Sequence, residues 1–227
     1  LIIMVTFDDI QKAHKKISPY IIKTPQIYSN SLSNKNRNIY LKLESMQITG
    51  SFKLRGAINK LLNLNIEQKK KGVIAVSTGN HGKGVAYAAK KLGIKSKIFM
   101  SNLVPQHRRR AIENLGAEII IKGKNSDEAD SYARDYAINN NTTLIHPFDD
   151  EDIIAGQGTI GLEMLGSLPS IDTVVIPTSG GGLSGGIAIA LKKKKPDIKI
   201  IAVSMKKGAS MYESLKAGMP IDVIEEK

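Results

Sequence analysis

Short apolar segments alternate with amphipathic segments along almost the whole chain of 227 residues. The apolar segments end at polar or glycine-rich loops, as buried strands do, and the segments between them have helical spacing. Alternating strands and helices form βα units, so the sequence predicts an α/β fold of mainly parallel sheets with helices on both faces. The predicted strands are 39–43, 73–76, 97–100, 119–121, 143–145, 173–176 and 198–203. The predicted helices are 6–17, 52–62, 81–92, 106–115, 127–138, 150–165, 185–191 and 210–217.

The composition excludes several classes of function. The chain has no cysteine, which rules out disulfides, thiolate nucleophiles and cysteine-ligated metals, and its longest apolar stretch is too short to span a membrane. The net charge of +12 suggests nucleic acid as an alternative partner, which would show as salt-dependent retention on DNA. The densest lysine runs, 69–71 and 192–195, end predicted helices without interleaved aromatic residues. We therefore expect a solvated basic surface, with neither nucleic acid nor membrane as a partner.

Three loops carry the chemistry, and the first contains a lysine at the start of a predicted helix, Lys53. The positive end of a helix disfavours an ammonium group and lowers the pKa of a lysine placed there. A neutral amine can attack an aldehyde and form a Schiff base. Considered alone, Lys53 is better explained as an ordinary surface lysine, because the chain is rich in lysine.

The second and third loops follow predicted strands, where parallel sheets bind ligands. Ser77–Gly82 combines hydroxyl and amide donors with the start of a helix, which suits a carboxylate, although an ordinary helix cap has similar residues. The loop at 179–186 has consecutive glycines whose N–H groups can converge on an anion, which indicates a phosphate cradle rather than a flexible linker. The G-x-G-x-x-G match at 156–161 follows a predicted helix start instead of a strand, so we assign it to close helix packing and not to a dinucleotide.

A lysine after Ser-Phe, a Ser-x-Gly-Asn-His-Gly loop and a glycine-rich nest, in this order, resemble the fold-type II enzymes that use pyridoxal 5'-phosphate (PLP). The resemblance extends from about Thr6 to Lys227, includes the stretches 146–148 and 155–159, and is nearest to threonine dehydratase and serine racemase. It implies a tryptophan-synthase-β-like fold of two domains that lacks the C-terminal part of the family. The expected domains are a large, incomplete PLP-binding domain at 1–71 and 149–227, and a small domain at 72–148.

The resemblance also implies a role for each matching residue. Lys53 would hold PLP and move the α-proton, and Thr78 occupies the position of the catalytic serine of the racemases. Phe52 would pack against the PLP ring and Asn80 would bond its 3'-hydroxyl. The residues expected to bind the phosphate are Ser179, Gly180, Gly181, Gly182 and Leu183. Those expected to bind the substrate carboxylate are Ser77, Thr78, Gly79 and His81.

The activity implied is that of an ammonia-lyase that converts L-threonine, L-serine or a similar β-hydroxy amino acid to a 2-keto acid and ammonia, in a cytoplasmic homodimer. The alternatives are an amino-acid racemase, another β-elimination or β-replacement enzyme, or a truncated, non-catalytic remnant. The stretches Ser77–Gly82 and Val203–Met211 are most similar to the dehydratases of hydroxyectoine utilisation. Ser204 stands where the metal-dependent relatives carry an acidic ligand, so we expect no metal site.

Overall fold

A computed structural model describes residues 4–206 and 209–221; Lys207 and Gly208, which belong to the stretch compared with the hydroxyectoine dehydratases, lie outside these ranges, as do residues 1–3 and 222–227. The helices are α1 (Phe7–Ile17), α2 (Lys53–Asn63), α3 (Ile66–Lys71), α4 (Asn80–Lys91), α5 (Gln106–Glu113), α6 (Ser126–Asn140), α7 (Glu151–Ser167), α8 (Gly182–Lys194) and α9 (Ser210–Ala217). The strands are β1 (Gln26–Tyr28), β2 (Tyr40–Lys42), β3 (Val73–Val76), β4 (Ser96–Met100), β5 (Glu118–Ile121), β6 (Thr143–Leu144), β7 (Thr173–Pro177) and β8 (Lys199–Val203).

Parallel pairing dominates the sheets, as predicted. Strands β5, β4, β3 and β6 lie side by side in that order, and all their pairings are parallel. Strands β7 and β8 form a second parallel pair, and β1 and β2 form an antiparallel one. The loops that follow β3, β4, β5 and β6 therefore emerge at one edge of the four-stranded sheet, which is where parallel sheets bind ligands.

Local signals set several helix boundaries. Helix α1 begins with a capping box in which Thr6 and Asp9 satisfy each other's backbone N–H groups. Both lysine runs end a helix, α3 and α8, as predicted from the favourable position of cations at the negative end of the helix dipole.

Helix α7 lies against α1, α2 and α8 and holds this part of the molecule together. Its glycines make the packing possible: a Cβ atom at Gly156 would lie 2.6 Å from the carbonyl oxygen of Arg55, and one at Gly158 would lie 2.8 Å from that of Gly186. The G-x-G-x-x-G match thus lies inside a helix at close helix contacts, which confirms its assignment to packing.

One face of the β7–β8 pair is open. The burial of β7 alternates, and Val175 and Val203 remain 64% and 49% exposed on this pair. Apolar side chains of this size are ordinarily covered when they lie on a sheet, so the described part of the chain leaves apolar sheet surface in contact with solvent. None of the helices in the two described ranges is long and apolar enough to cross a membrane.

Candidate active site

Lys53 is the first residue of α2, and its side chain turns into the interior. Its Nζ donates a 2.7 Å hydrogen bond to the carbonyl oxygen of Pro147 and lies 5.3 Å from the centre of the Phe52 ring. Burial lowers the pKa of Lys53 to about 8. The direction agrees with the sequence prediction, and the cause found in the structure is burial, which removes the ammonium from water. About a tenth of the Lys53 side chain is therefore a neutral, nucleophilic amine at pH 7, and about half is neutral at pH 8.

The glycine-rich loop between β7 and α8 faces this lysine. Gly181 has φ +84°, a left-handed conformation that favours glycine, and it caps α8 without help from any side chain of the described chain. The first N–H groups of a helix have no partner within the helix, so an uncapped start presents them to an anion. The serine that precedes the glycines, Ser179, is exposed, and the hydroxyl of Ser184 bonds to the carbonyl oxygen of Gly181.

A cavity of about 590 Å³ separates Lys53 from the glycine-rich loop. Phe52, Lys53 and the whole predicted phosphate-binding set, 179–183, line it. Pro147, Phe148 and Gln157 form part of the wall as well, together with Val203, Ser204 and Met205 at the end of β8. The structure thus brings together the first and third loops singled out in the sequence.

The second loop lies beside this cavity but does not line it. Ser77, Thr78 and Gly79 are half-buried between β3 and α4, and Asn80 is exposed at the start of α4. Helix α4 nevertheless touches the first turn of α2, since a Cβ atom at Gly84 would lie 3.2 Å from the carbonyl carbon of Lys53. The second loop is therefore next to Lys53, while Asn80 is not in the cavity wall.

His81 is the buried member of that loop. Its Nε2 lies 2.8 Å from the carbonyl oxygen of Ile145, an arrangement in which Nε2–H donates. Burial lowers the pKa of His81 to about 4, with the charge of Lys53 acting in the same direction. The imidazole is neutral at physiological pH, and it cannot act as a general acid from the imidazolium form.

The residues fit a phosphorylated aldehyde such as PLP. The cavity has an amine at one side and an uncapped helix start at the other, and it is large enough for a small ligand. Three buried polar atoms near Lys53 also have no hydrogen-bond partner among the described residues: Thr49 Oγ1, Ser51 Oγ and His81 Nδ1. Buried polar atoms are ordinarily paired, so these three atoms are available to a group bound beside Lys53.

A buried, partly neutral lysine facing an anion cradle in an α/β fold defines a class of site that takes a phosphorylated carbonyl cofactor. The family described as "Pyridoxal-phosphate dependent enzyme" matches residues 17–226 of the chain. The chain belongs to this family.

The individual relatives narrow the comparison. The catabolic L-threonine dehydratase of Staphylococcus aureus is 48% identical over 213 residues, which cover 93% of this chain and 62% of the relative. The chain therefore spans about three fifths of the length of this curated relative. Among solved structures, maize serine racemase superimposes with a TM-score of 0.92 at 35% sequence identity. The aligned region covers 96% of this chain and 67% of the racemase chain. Threonine deaminase isoform 2 of Solanum lycopersicum gives 0.88 at 39% identity, with coverages of 94% and 64%. These likenesses confirm the fold-type II architecture.

Sequence reasoning assigned no role to two groups of residues. Pro147 and Phe148 follow a parallel strand, β6. Their position after a parallel strand could have predicted that they line a ligand site. The other group surrounds Arg55, which is fully buried and bonded to residues more than 100 positions away along the chain. No local pattern reveals such a contact.

Proposed function

We propose that this chain is the PLP-binding part of an ammonia-lyase that converts a small β-hydroxy amino acid, L-threonine or L-serine, to a 2-keto acid and ammonia. The observation that carries the proposal is the buried Lys53 amine, with a pKa of about 8, facing the uncapped glycine-rich start of α8 across a cavity of about 590 Å³. The 48% identity to a relative named L-threonine dehydratase favours this substrate class.

The residues divide the work of the reaction. PLP, when bound, supplies the electron sink that makes the α-proton of an amino acid acidic. Residues 179–183 would hold its phosphate and Phe52 would pack on its ring. Asn80, which lies at the start of α4 outside the cavity wall, would have to approach the ring to bond its 3'-hydroxyl. Lys53 would hold its aldehyde carbon and, once displaced by the substrate amine, would take the α-proton on Nζ. The substrate β-hydroxyl would leave as water with the proton that Nζ has taken, and hydrolysis of the resulting enamine would consume one water and give the 2-keto acid and ammonia.

The loop after β3 would orient the substrate. Ser77, Thr78, Gly79 and His81 offer hydroxyl groups and backbone N–H groups at the start of α4, which suit the substrate carboxylate. The carboxylate would then hold the α-carbon over the amine of Lys53. Because the imidazole of His81 is neutral, it would fix this loop through its bond to Ile145 rather than supply charge.

A second candidate function is amino-acid racemisation. The observation in its favour is the TM-score of 0.92 to a structure named serine racemase. A racemase needs a proton donor on the face of the substrate opposite Lys53, and the hydroxyl of Thr78 would be that donor. The two functions share one site and differ in the fate of the α-carbon.

Finer assignments extend the same proposal. We propose that residues 1–71 and 149–227 form the large PLP-binding domain and that residues 72–148 form the small one. The four-stranded sheet of β3 to β6 falls within residues 72–148, and this supports the division. We also propose a cytoplasmic homodimer that binds neither nucleic acid nor membrane and, within the family, a relationship to the dehydratases of hydroxyectoine utilisation.

The test is a visible absorption spectrum of the purified chain after addition of PLP and desalting. We expect the wild type to retain a yellow absorption band, and borohydride to attach the bound PLP to Lys53. Lys60→Met, which changes a lysine two turns further along α2, should retain the band. Lys53→Ala should retain none. A keto-acid assay on L-threonine and L-serine then tests the lyase activity. A colourless wild type, or a band that survives in Lys53→Ala, would contradict the proposal.

A further inference from the structure

A buried ionic cluster lies behind Lys53 and has no part in the chemistry described so far. Arg55 is 0% exposed, and its guanidinium donates to both carboxylate oxygens of Glu44 and to both of Glu163, at 2.7–3.0 Å. It also donates to the hydroxyl of Thr159 at 3.2 Å. Lys42 completes the cluster with a 2.6 Å ion pair to Glu163.

The cluster satisfies Arg55 completely. A guanidinium has five N–H groups, and these five hydrogen bonds use every one of them. Burial alone would raise the pKa of Glu163, yet the hydrogen bonds from Arg55 and Lys42 bring it below its ordinary value. The cluster thus pairs two cationic side chains, Arg55 and Lys42, with two carboxylate side chains, Glu44 and Glu163, and its formal charges cancel.

The position of Arg55 on α2 makes the cluster relevant to Lys53. Residues two positions apart on an α-helix project about 200° from each other, so Arg55 and Lys53 point to opposite sides of the same first turn. The partners of Arg55 come from α7 and from the segment after β2, so the helix is tied to two separate elements. Fixing the side chain on one side of a helix fixes the direction of the side chain on the other.

We propose that the cluster of Arg55, Glu44, Glu163 and Lys42 is a positioning device for Lys53: it sets the rotation of α2 about its axis and, being neutral, adds no net charge behind the amine. The inference rests on the proposed function, because it concerns how Lys53 is presented to the cofactor. An uncharged side chain could pack at position 55 but could not supply five directional bonds. Breaking such a buried pair leaves an uncompensated charge.

The other titratable groups around Lys53 do not mask the effect of the cluster's charge on the pKa of Lys53. His81 of α4 and His146 of the loop after β6 lie on its side of the molecule, and burial lowers the pKa of each imidazole, so both are neutral where Lys53 titrates. The carboxylates that face His146 include Asp149 and Asp150, and Asp150 is ion-paired with Lys60 at 2.7 Å. A change of charge in the cluster is then the main electrostatic change that Lys53 experiences.

The experiment measures the reactivity of Lys53 without the cofactor. The full chain is labelled with trinitrobenzenesulfonate, which reacts with neutral amines, and the Lys53 peptide is quantified by mass spectrometry over a pH range that brackets 8. The labelling midpoint is the pH at which Lys53 reaches half of its maximal labelling. Arg55→Met leaves the cluster with a net negative charge that favours the ammonium form of Lys53, so this midpoint should rise. Glu163→Gln leaves the cluster with a net positive charge, so the midpoint should fall. At an effective dielectric constant of about 20, a unit charge on the order of 10 Å from an amine shifts its pKa by about one unit, so each midpoint should move by about that amount.

Two further variants separate positioning from mere stability. The double variant Arg55→Met with Glu163→Gln restores neutrality, so its midpoint should return to that of the wild type. With the bonds lost, however, the share of borohydride-trapped PLP found on Lys53 rather than on other lysines should fall several-fold. Lys97→Met removes an exposed ion pair on β4 and should change neither quantity.

The outcomes are distinct. Shifts of the same sign, or no shifts, in the two single variants would overturn the electrostatic part of the inference, and wild-type selectivity in the double variant would overturn the positioning part. If Arg55→Met does not fold, the milder Glu163→Gln still tests the predicted fall of the midpoint. A wild-type chain that takes up no PLP would refute the proposed function instead, while the labelling comparison would still report on the cluster.

Discussion

Gly180 is the residue whose replacement most directly tests the anion cradle. A Cβ atom at this position would lie 2.5 Å from ring atoms of Phe148, so a methyl group must displace the ring or narrow the loop. We expect Gly180→Ala to weaken PLP binding at least about tenfold, because both the N–H groups of the loop and the wall of the cavity move. Titration with PLP, followed by visible absorption, measures the loss.

The matched control for this substitution lies five residues further along the chain. Gly185 is a helical residue of α8, and nothing lies within 4 Å of a Cβ atom built on it. Gly185→Ala should leave PLP affinity unchanged and stabilise the helix by up to about 1 kcal/mol. Equal PLP affinities for the two alanine variants would argue against a cradle in this loop.

Thr78 distinguishes the two candidate reactions. If its hydroxyl returns a proton to the substrate, Thr78→Ala should reduce racemisation of L-serine by about 100-fold or more, as loss of a general acid–base group typically does. Elimination does not need this proton and should fall much less. Chiral analysis of recovered serine, run beside a keto-acid assay on PLP-loaded protein, measures both rates.

The conservative variant Thr78→Ser keeps a hydroxyl at this position and is the control. It should retain most of any racemisation. Equal losses of racemisation and elimination in Thr78→Ala would exclude a reprotonation role for Thr78 and leave it as a residue that shapes the carboxylate-binding loop.

The glycines of α7 show, at the scale of the element, how packing constrains sequence. At Gly158 a methyl group would press on the side chain of Ile10 and on the backbone of Gly186, and the backbone of a packed helix cannot move aside easily. We expect Gly158→Ala to destabilise the protein by about 1–3 kcal/mol, the cost typical of overpacking. Urea unfolding measures this difference.

Gly166 on the same helix provides the comparison. It is exposed, and no atom lies within 4 Å of a Cβ atom built on it. Gly166→Ala should therefore stabilise the protein by roughly 0.5–1 kcal/mol through helix propensity alone. Destabilisation of similar size in both variants would mean that the close contacts at Gly158 do not limit the packing of α7.

The helices and strands differ in how accurately their bounds can be predicted from the sequence. Strand β3 and helix α9 have the predicted bounds, because glycines and polar residues mark both ends of each. Strand β1 was not predicted, since three residues that begin with Gln26 show no alternation long enough to detect. Helix α8 begins three residues before the predicted start, because glycine has low helix propensity and its role here is the close approach of Gly182 to Phe148.

The site was only partly predictable for a related reason. Lys53 and the glycine-rich loop follow from local patterns at helix starts, and the structure places both on one cavity. The Arg55 cluster instead joins residues 108 positions apart, and charged residues in a sequence otherwise predict solvated surface. Only tertiary structure reveals that these charges neutralise each other in the interior.

At the scale of the whole molecule, the cavity joins segments that are far apart in the chain. Lys53 starts α2, Phe148 follows β6, and the glycine-rich loop follows β7, so a ligand in contact with all three would tie these elements together. A ligand that binds only the folded state stabilises it, by about 2.7 kcal/mol at a concentration 100 times its dissociation constant. For a chain of this size, PLP should then raise the melting temperature by about 5–10 °C.

Two comparisons assign this stabilisation to its sources. Pyridoxal, which has the aldehyde but no phosphate, should raise the melting temperature of the wild type much less than PLP does, because it makes no use of residues 179–183. Lys53→Ala keeps the cradle but not the amine, so PLP should stabilise it by only part of the wild-type amount. If pyridoxal were as effective as PLP, the uncapped start of α8 would have no role in binding; if Lys53→Ala were stabilised as much as the wild type, the amine would have none.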